Sequence, residues 1–162
     1  NRMLGINRQY KSGSTMLAVV ADKEGFHWLS IGDSRIYLYR SGKLLQMNRE
    51  HIYAAELLCE AVNGEISFAE VKSHSQRKGL TSFIGMGELK YVDGSTRKLP
   101  LQKGDMVLLM SDGVYNTIND TEIEEILAQA ENAKEAETVL EQKILEKQNP
   151  KQDNFTAVVI GF

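Results

Sequence analysis

The chain has 162 residues, enough for one domain that buries about two thirds of its unfolded surface. Hydrophobic residues make up 42% and charged residues 25%, a composition typical of a globular protein and not of a disordered one. With 19 basic and 22 acidic residues, the net charge of -3 argues against a protein that binds nucleic acid or an anionic membrane.

The chain has one cysteine, Cys59, which rules out an internal disulfide and fits a reducing cytoplasm. Its longest apolar runs, residues 16–21 and 106–110, are far shorter than the roughly 18 residues that a membrane helix needs. We therefore expect a cytoplasmic protein with neither a membrane helix nor a signal peptide.

The first third of the chain predicts a β-meander, in which consecutive strands are joined by tight turns. Residues 1–12 are polar and are expected to form a frayed helix end and a loop. The predicted strands that follow are residues 16–21, 26–31, 35–39 and 43–47.

The pattern changes at residue 52, where apolar residues recur with helical spacing. Ala54, Leu57, Leu58 and Ala61 predict a helix over residues 52–62, with Cys59 near its apolar face. Residues 65–79 show no clear period and are interpreted as a surface segment without regular structure. A short strand is expected at residues 95–101.

The second half contains a continuous apolar run, residues 106–110, which predicts a buried strand. Thr121 and Glu124 have the spacing of a capping box and predict the start of a helix. A second helix is expected over residues 133–148 and a last strand over residues 155–162. Together these elements predict a single α+β domain, residues 1–162, with helices packed on the outer faces of antiparallel sheets.

Two of these strands carry an acidic residue at the end where they border a turn. Asp112 follows the strand at residues 106–110, and Asp153 and Asn154 precede the last strand. If the two strands are neighbours, Asp112 and Asp153 converge, and convergent carboxylate oxygens suit Mg²⁺ or Mn²⁺. Each pattern alone, like Gly32-Asp33, is also typical of an ordinary turn.

Six short motifs, taken in order, carry a family resemblance. They are GST at residues 13–15, IGDSRIYLY at 31–39, EH at 50–51, LTSFIG at 80–85, LLMSDGV at 108–114 and QDNFTAV at 152–158. This ordered set resembles the metal-dependent protein phosphatases of the PPM group, the protein phosphatase type 2C family, and especially its compact bacterial members.

The resemblance implies an antiparallel β-sandwich flanked by helices, the four-layer αββα fold, with a binuclear Mn²⁺ or Mg²⁺ centre at one end of the sheets. It implies hydrolysis of phosphoserine and phosphothreonine by a metal-activated water. Asp112 and Asp153 match metal ligands, and Asn154 matches a residue that orients the Asp153 carboxylate. Asp33 matches an aspartate that can bind a third, weaker metal, although a hairpin-turn role is an equal alternative.

The sequence also departs from the family pattern. It contains no Asp-Gly-x-Gly-Gly motif, whose aspartate bridges both metals, and no upstream Glu-Asp or phosphate-binding arginine. Asn116 stands where the family has a further metal-binding aspartate, and it is a poorer ligand for a hard cation. Ser82 stands in place of an expected arginine. We therefore expect an N-terminally truncated phosphatase domain with little or no activity by itself.

The partners implied by the resemblance are phosphoprotein substrates and, through them, a Ser/Thr kinase and its targets. The alternative is a pseudophosphatase or regulatory binding domain with the same fold. Sheet edges without their N-terminal strands predict a dimer.

The three histidines, His27, His51 and His74, share no metal-ligand spacing. Lys72, Arg77 and Lys78 are interpreted as a solvated loop or as a surface that meets the phosphoprotein.

Overall fold

The computed structural model of the protein describes residues 12–162. The expectation for residues 1–12 therefore lies outside the described residues, apart from Ser12. The strands are β1 (Met16–Asp22), β2 (Gly25–Ile31), β3 (Arg35–Arg40), β4 (Lys43–Gln46), β5 (Asp93–Gly94), β6 (Met106–Met110) and β7 (Ala157–Gly161). The helices are α1 (Tyr53–Val62), α2 (Phe68–Ser73), α3 (Asp112–Tyr115), α4 (Asp120–Gln129) and α5 (Ala133–Glu146).

The strands form two antiparallel sheets. The first sheet has the order β1-β2-β5, and the second has the order β4-β3-β6-β7. The two predicted hairpins are confirmed, since β1 pairs with β2 and β3 pairs with β4. In the second sheet β6 lies between β3 and β7, so the two strands that border the predicted acidic residues are neighbours.

Strand β6 is buried on both faces because it lies between two apolar layers. Met106, Leu108 and Met110 belong to the core that the second sheet shares with the helices. Val107 and Leu109 belong to the core between the two sheets. Alternate residues of a strand point to opposite faces, so a continuous apolar run is what a strand in the middle of three layers requires.

Helices α4 and α5 cover the outer face of the second sheet. Their buried side chains are Ile123, Ile126, Leu127, Ala136, Leu140 and Ile144. Two packed antiparallel sheets with helices on the outside confirm the predicted α+β sandwich. None of the helices within residues 12–162 is long and apolar enough to cross a membrane.

The predicted start of α4 is wrong by two residues. Asn119 is the N-cap and forms a capping box with Glu122, whereas the sequence pattern suggested Thr121 and Glu124. Glu124 is engaged elsewhere, because its carboxylate accepts a hydrogen bond from the backbone N–H of Leu44 at 2.9 Å. Both pairs have capping-box spacing, but Glu124 is bonded to β4, and the capping box forms between Asn119 and Glu122.

Three other predictions in the middle of the chain are corrected. Residues 65–79 contain helix α2, which Ser67 and Glu70 open with a capping box, and Val71 packs on α1. The strand expected at residues 95–101 is replaced by β5 and by a single bridge between Leu99 and Phe26. Cys59 is exposed and does not belong to the core, because α1 buries the neighbouring face with Leu57.

Candidate metal centre

Asp112 lies where strand β6 gives way to helix α3. The preceding residue, Ser111, donates its backbone N–H to the Thr156 carbonyl at 3.0 Å. Its hydroxyl accepts from the Thr156 N–H at 2.9 Å, so the β6–β7 pairing extends one residue past the strand. Asp112 therefore begins α3 directly after a residue that is hydrogen-bonded to the neighbouring strand segment. Asn116, one turn later, donates its side-chain N–H to Asp112 Oδ2 at 3.4 Å.

Asp153 and Asn154 lie on the loop that leads into β7, beside the same turn. Gly113 touches this loop closely, since a Cβ atom on Gly113 would stand 2.4 Å from the Asn154 carbonyl oxygen. Gly113 is helical and has no positive φ, so it is required for space and not for a special backbone conformation. Asn154 donates its backbone N–H to Asp153 Oδ1 at 2.8 Å, which orients that carboxylate.

Gln152 joins the two acid-bearing segments, a contact that the sequence did not reveal. Its side-chain N–H donates to the carbonyl oxygens of Gly113, at 3.0 Å, and of Asp153, at 2.8 Å. Its side-chain oxygen accepts from the Thr117 hydroxyl at 2.7 Å. The only sequence signal was the position of Gln152 directly before Asp153-Asn154.

Asp33 lies near Asp112 although the two residues are far apart in sequence. Both line one cavity of about 170 Å³, together with Arg35, Glu50, Ile52, Lys78, Tyr115 and Asn116. Burial raises the pKa of the Asp33 carboxyl above its usual range, and the charges of Asp112 and Glu50 raise it further. The cavity thus holds carboxylates whose mutual repulsion a bound cation would relieve.

The predicted site residues form a partial cluster. Asp33, Asp112 and Asn116 line the cavity, whereas Asp153 lies on the adjoining loop and is not among its lining residues. Within residues 12–162, the structure has no group of three or more acidic, histidine or cysteine side chains that could hold a metal ion. The carboxylate and amide oxygens are of the right chemical type for Mg²⁺ or Mn²⁺, but the donor set of these residues is incomplete.

A set of contacts among residues that line the cavity was missed in the sequence. The Arg35 guanidinium pairs with the Glu50 carboxylate and lies 3.7 Å above the centre of the Tyr115 ring. Burial raises the pKa of the Tyr115 hydroxyl, and the charge of Asp33 raises it further, so this hydroxyl is a donor at neutral pH. The alternating pattern of IGDSRIYLY predicts a strand but gives no indication of these contacts.

Of the basic residues and histidines singled out in the sequence, one lysine lines the cavity, one histidine is buried and another is exposed. Lys78 lines the cavity and donates to Asn116 Oδ1 at 3.3 Å. His51 is buried, and burial lowers the pKa of its imidazole, which favours the neutral ring. His27 is exposed and Ser82, which replaces the expected arginine, is buried and hydrogen-bonded to the backbone of Tyr91.

Comparison with known families identifies the chain. Residues 7–148 match the family model described as Protein phosphatase 2C. The chain belongs to this family. The resemblance stated from the sequence motifs is thereby confirmed.

Individual phosphatase 2C relatives agree with the family match. The serine/threonine phosphatase stp of Listeria welshimeri is 31% identical over 150 residues, which cover 91% of this chain and 56% of the relative. The protein phosphatase PhpP of Streptococcus pneumoniae is 34% identical over 126 residues, which cover 76% of this chain and 49% of the relative. The chain therefore spans about half the length of these curated relatives.

Solved structures support the fold. The serine/threonine phosphatase of S. agalactiae superposes with a TM-score of 0.79 at 26% identity, covering 99% of this chain and 64% of that one. The catalytic domain of the serine/threonine protein phosphatase PstP, in complex with two manganese ions, superposes with a TM-score of 0.70 at 26% identity. That match covers 98% of this chain and 63% of that domain. The predicted phosphatase fold is confirmed.

Proposed function

We propose that this chain is part of a metal-dependent protein serine/threonine phosphatase. The observation that carries the proposal is the contact of Gly113 with Asn154, which brings Asp112 beside the Asp153-Asn154 loop at one end of a phosphatase 2C sandwich. The names of the similar proteins, serine/threonine phosphatases, support this reaction and its substrate class.

In this proposal Asp112 and Asp153 are ligands of Mn²⁺ or Mg²⁺, and the two manganese ions of the PstP catalytic domain support that choice of metal. The bound ions would activate a water molecule and neutralise phosphoryl charge. Asp33 is an additional carboxylate for a further cation, with Asn116 as a weaker neutral ligand. Asn154 and Gln152 hold the Asp153 loop through the hydrogen bonds described above.

The metal centre of residues 12–162 requires further ligands, because these residues contain no group of three acidic, histidine or cysteine side chains able to hold a metal. A bare pair of carboxylates competes poorly with water for a divalent cation. We therefore expect the 162-residue chain alone to hydrolyse p-nitrophenyl phosphate weakly or not at all. Turnover equal to that of an intact family member would contradict this expectation.

The partners of the proposed enzyme are phosphoproteins and, through them, the Ser/Thr kinase that modifies these targets. We propose a cytoplasmic location, which the free, exposed Cys59 fits. The incomplete donor set and the neutral Asn116 favour one alternative, a pseudophosphatase or regulatory domain that binds phosphoproteins without turnover.

The experiment that separates these functions measures phosphate release from phosphoserine and phosphothreonine peptides by the natural protein. We expect release that requires Mn²⁺, stops when a chelator is added and returns when Mn²⁺ is restored. A phosphotyrosine peptide is the comparison substrate and is expected to react more slowly. Binding of the peptides in Mn²⁺ without any release would reject the phosphatase and support the binding domain.

A further inference from the structure

The turn that carries Asp33 is held by a buried histidine. The backbone N–H of Gly32 donates to His51 Nδ1 at 3.1 Å, and the backbone N–H of His51 donates to the Gly32 carbonyl at 2.9 Å. Gly32 has a φ of 106°, and a Cβ there would meet the Thr15 side chain at 2.4 Å. The turn therefore depends on a glycine and on a neutral His51 ring that accepts at Nδ1.

Tyr115 also holds the same turn. The Tyr115 hydroxyl donates to the carbonyl oxygen of Asp33 at 3.0 Å. The Arg35 guanidinium lies on the Tyr115 ring and is itself fixed by the carboxylate of Glu50. Tyr115 follows Asp112 by three residues in helix α3, so this hydroxyl ties the Asp33 turn to the helix that begins with Asp112.

These hydrogen bonds end on backbone atoms of the turn and not on the Asp33 carboxylate. Asp33, Asp112 and Glu50 line one cavity, and Glu50 is paired there with Arg35. Asp33 and Asp112 carry like charges that repel each other. A turn with no external support would relax so that the Asp33 carboxylate moves away from the others. The bonds from His51 and Tyr115 oppose that movement.

We propose that Tyr115 and His51 are positioning residues that hold the Asp33 carboxylate in the cavity beside Asp112, ready for a divalent cation. This inference rests on the proposed function, because it takes Asp33 to be a metal ligand. It assigns to Tyr115 and His51 an effect on metal affinity through Asp33, without direct contact with the metal.

The test uses the natural protein and a titration with Mn²⁺, in which free Mn²⁺ is measured by electron paramagnetic resonance. Asp33→Asn calibrates the assay and is expected to weaken binding. Tyr115→Phe keeps the ring under Arg35 and removes the hydrogen bond to Asp33. Loss of one such bond is expected to weaken Mn²⁺ binding about three- to tenfold.

Tyr37→Phe is the matched control for a general loss of packing or stability. Tyr37 is buried, and its hydroxyl donates to Asp120 at 2.9 Å and accepts from Arg35. Tyr37→Phe therefore loses a contact with Arg35 but keeps the hydrogen bond from Tyr115 to Asp33. Both Tyr→Phe variants are expected to lower the unfolding temperature by similar amounts. Only the Tyr115 variant is expected to lose Mn²⁺ affinity, which a purely structural role would not produce.

His51 is tested by a pair of substitutions. His51→Asn retains an acceptor near the position of Nδ1 and is expected to keep most of the Mn²⁺ affinity. His51→Leu removes the acceptor and is expected to weaken binding as Tyr115→Phe does. A folded His51→Leu variant that binds Mn²⁺ as the wild type does would overturn the role of His51. If this variant fails to fold, a loss of affinity in His51→Asn equal to that in Asp33→Asn would overturn it instead.

The possible results distinguish the inference from the function on which it rests. If Asp33→Asn weakens Mn²⁺ binding and Tyr115→Phe matches the wild type, the positioning role is overturned and Asp33 remains a ligand. If Asp33→Asn itself matches the wild type, the assignment of Asp33 to a metal is overturned, and the positioning role falls with it. Parallel losses in Asp33→Asn and Tyr115→Phe, with Tyr37→Phe unchanged, support the inference.

Discussion

The backbone of Gly113 lies against the carbonyl oxygen of Asn154, with no room for a side chain between them. This contact joins the start of helix α3, which carries Asp112, to the loop that carries Asp153. Gln152 reinforces the contact by donating to the Gly113 carbonyl. The close approach of the two acid-bearing segments therefore depends on Gly113, an uncharged residue that is not itself a proposed ligand.

Gly113→Ala is expected to separate these segments. A Cβ 2.4 Å from the Asn154 oxygen cannot be accommodated without a backbone shift, and overpacking of this kind costs about 1–3 kcal/mol of stability. Urea unfolding measures that loss. In the natural protein, the same substitution is expected to reduce Mn²⁺-dependent phosphatase activity, because Asp153 moves away from Asp112.

Gly161→Ala is the control for this prediction. Gly161 lies in β7 and also lacks a positive φ, but its Cβ would stand 3.4 Å from the Ala133 Cβ, an ordinary contact. It is expected to change stability and activity much less than Gly113→Ala. Equal effects of the two substitutions would contradict the claim that the Gly113 contact positions the acids.

Asp105, directly before strand β6, is expected to stabilise the start of that strand. It is 2% exposed, and its carboxylate accepts hydrogen bonds from Arg40 Nε at 2.9 Å and from the Gln102 backbone N–H at 2.7 Å. Asp105→Asn leaves the Arg40 charge without its partner. We expect a loss of about 2–4 kcal/mol in the free energy of unfolding at pH 7.

The contribution of Asp105 is expected to depend on pH. The hydrogen bond from Arg40 holds the pKa of the Asp105 carboxyl below its usual range, even though burial opposes the shift. Since the folded pKa lies below the unfolded one, the stabilisation is present above the unfolded pKa of about 3.9 and is lost as pH falls through the folded pKa. Unfolding curves of the wild type and Asp105→Asn should therefore converge in acid. A constant gap down to the lowest pH would contradict this.

The exposed sheet edges are expected to allow dimers at high concentration. Within residues 12–162, β1 borders the first sheet and β7 borders the second, and exposed apolar side chains on them include Val20 and Val158. Light scattering of the 162-residue chain at increasing concentration tests this expectation. A Val20→Lys variant, with a charge on the edge strand, should reduce association through β1. A strict monomer at all concentrations would show that the edges do not pair.

Much of the fold could be predicted because its signals are local. The run at residues 106–110 has the composition of a strand buried on both faces, and the hairpins have turn residues at the right spacing. Helix α2 was missed although Ser67 and Glu70 have capping-box spacing, because the segment lacks a clear apolar period. The start of α4 was misplaced because the contact of Glu124 with β4 is not local.

The candidate site was less accessible to sequence reasoning. Asp112 and Asp153 could be singled out, because each borders an apolar stretch with the pattern of a strand, and the structure shows that these two strands pair. The roles of Gln152, Tyr115 and His51 could not be predicted, since each depends on a side chain that bonds to the backbone of a distant turn. The structure shows that Gly113, directly after Asp112, is required for the close approach to Asn154.

The measurement that tests the central claim most directly is hydrolysis of p-nitrophenyl phosphate by the natural protein in Mn²⁺, with Asp112→Ala and Asp153→Ala compared with the wild type. Circular dichroism establishes that each variant remains folded. We expect both variants to lose at least about a hundredfold in activity, because each removes a proposed metal ligand. Activity retained by either folded variant would contradict its assignment as a metal ligand and, with it, the proposed site.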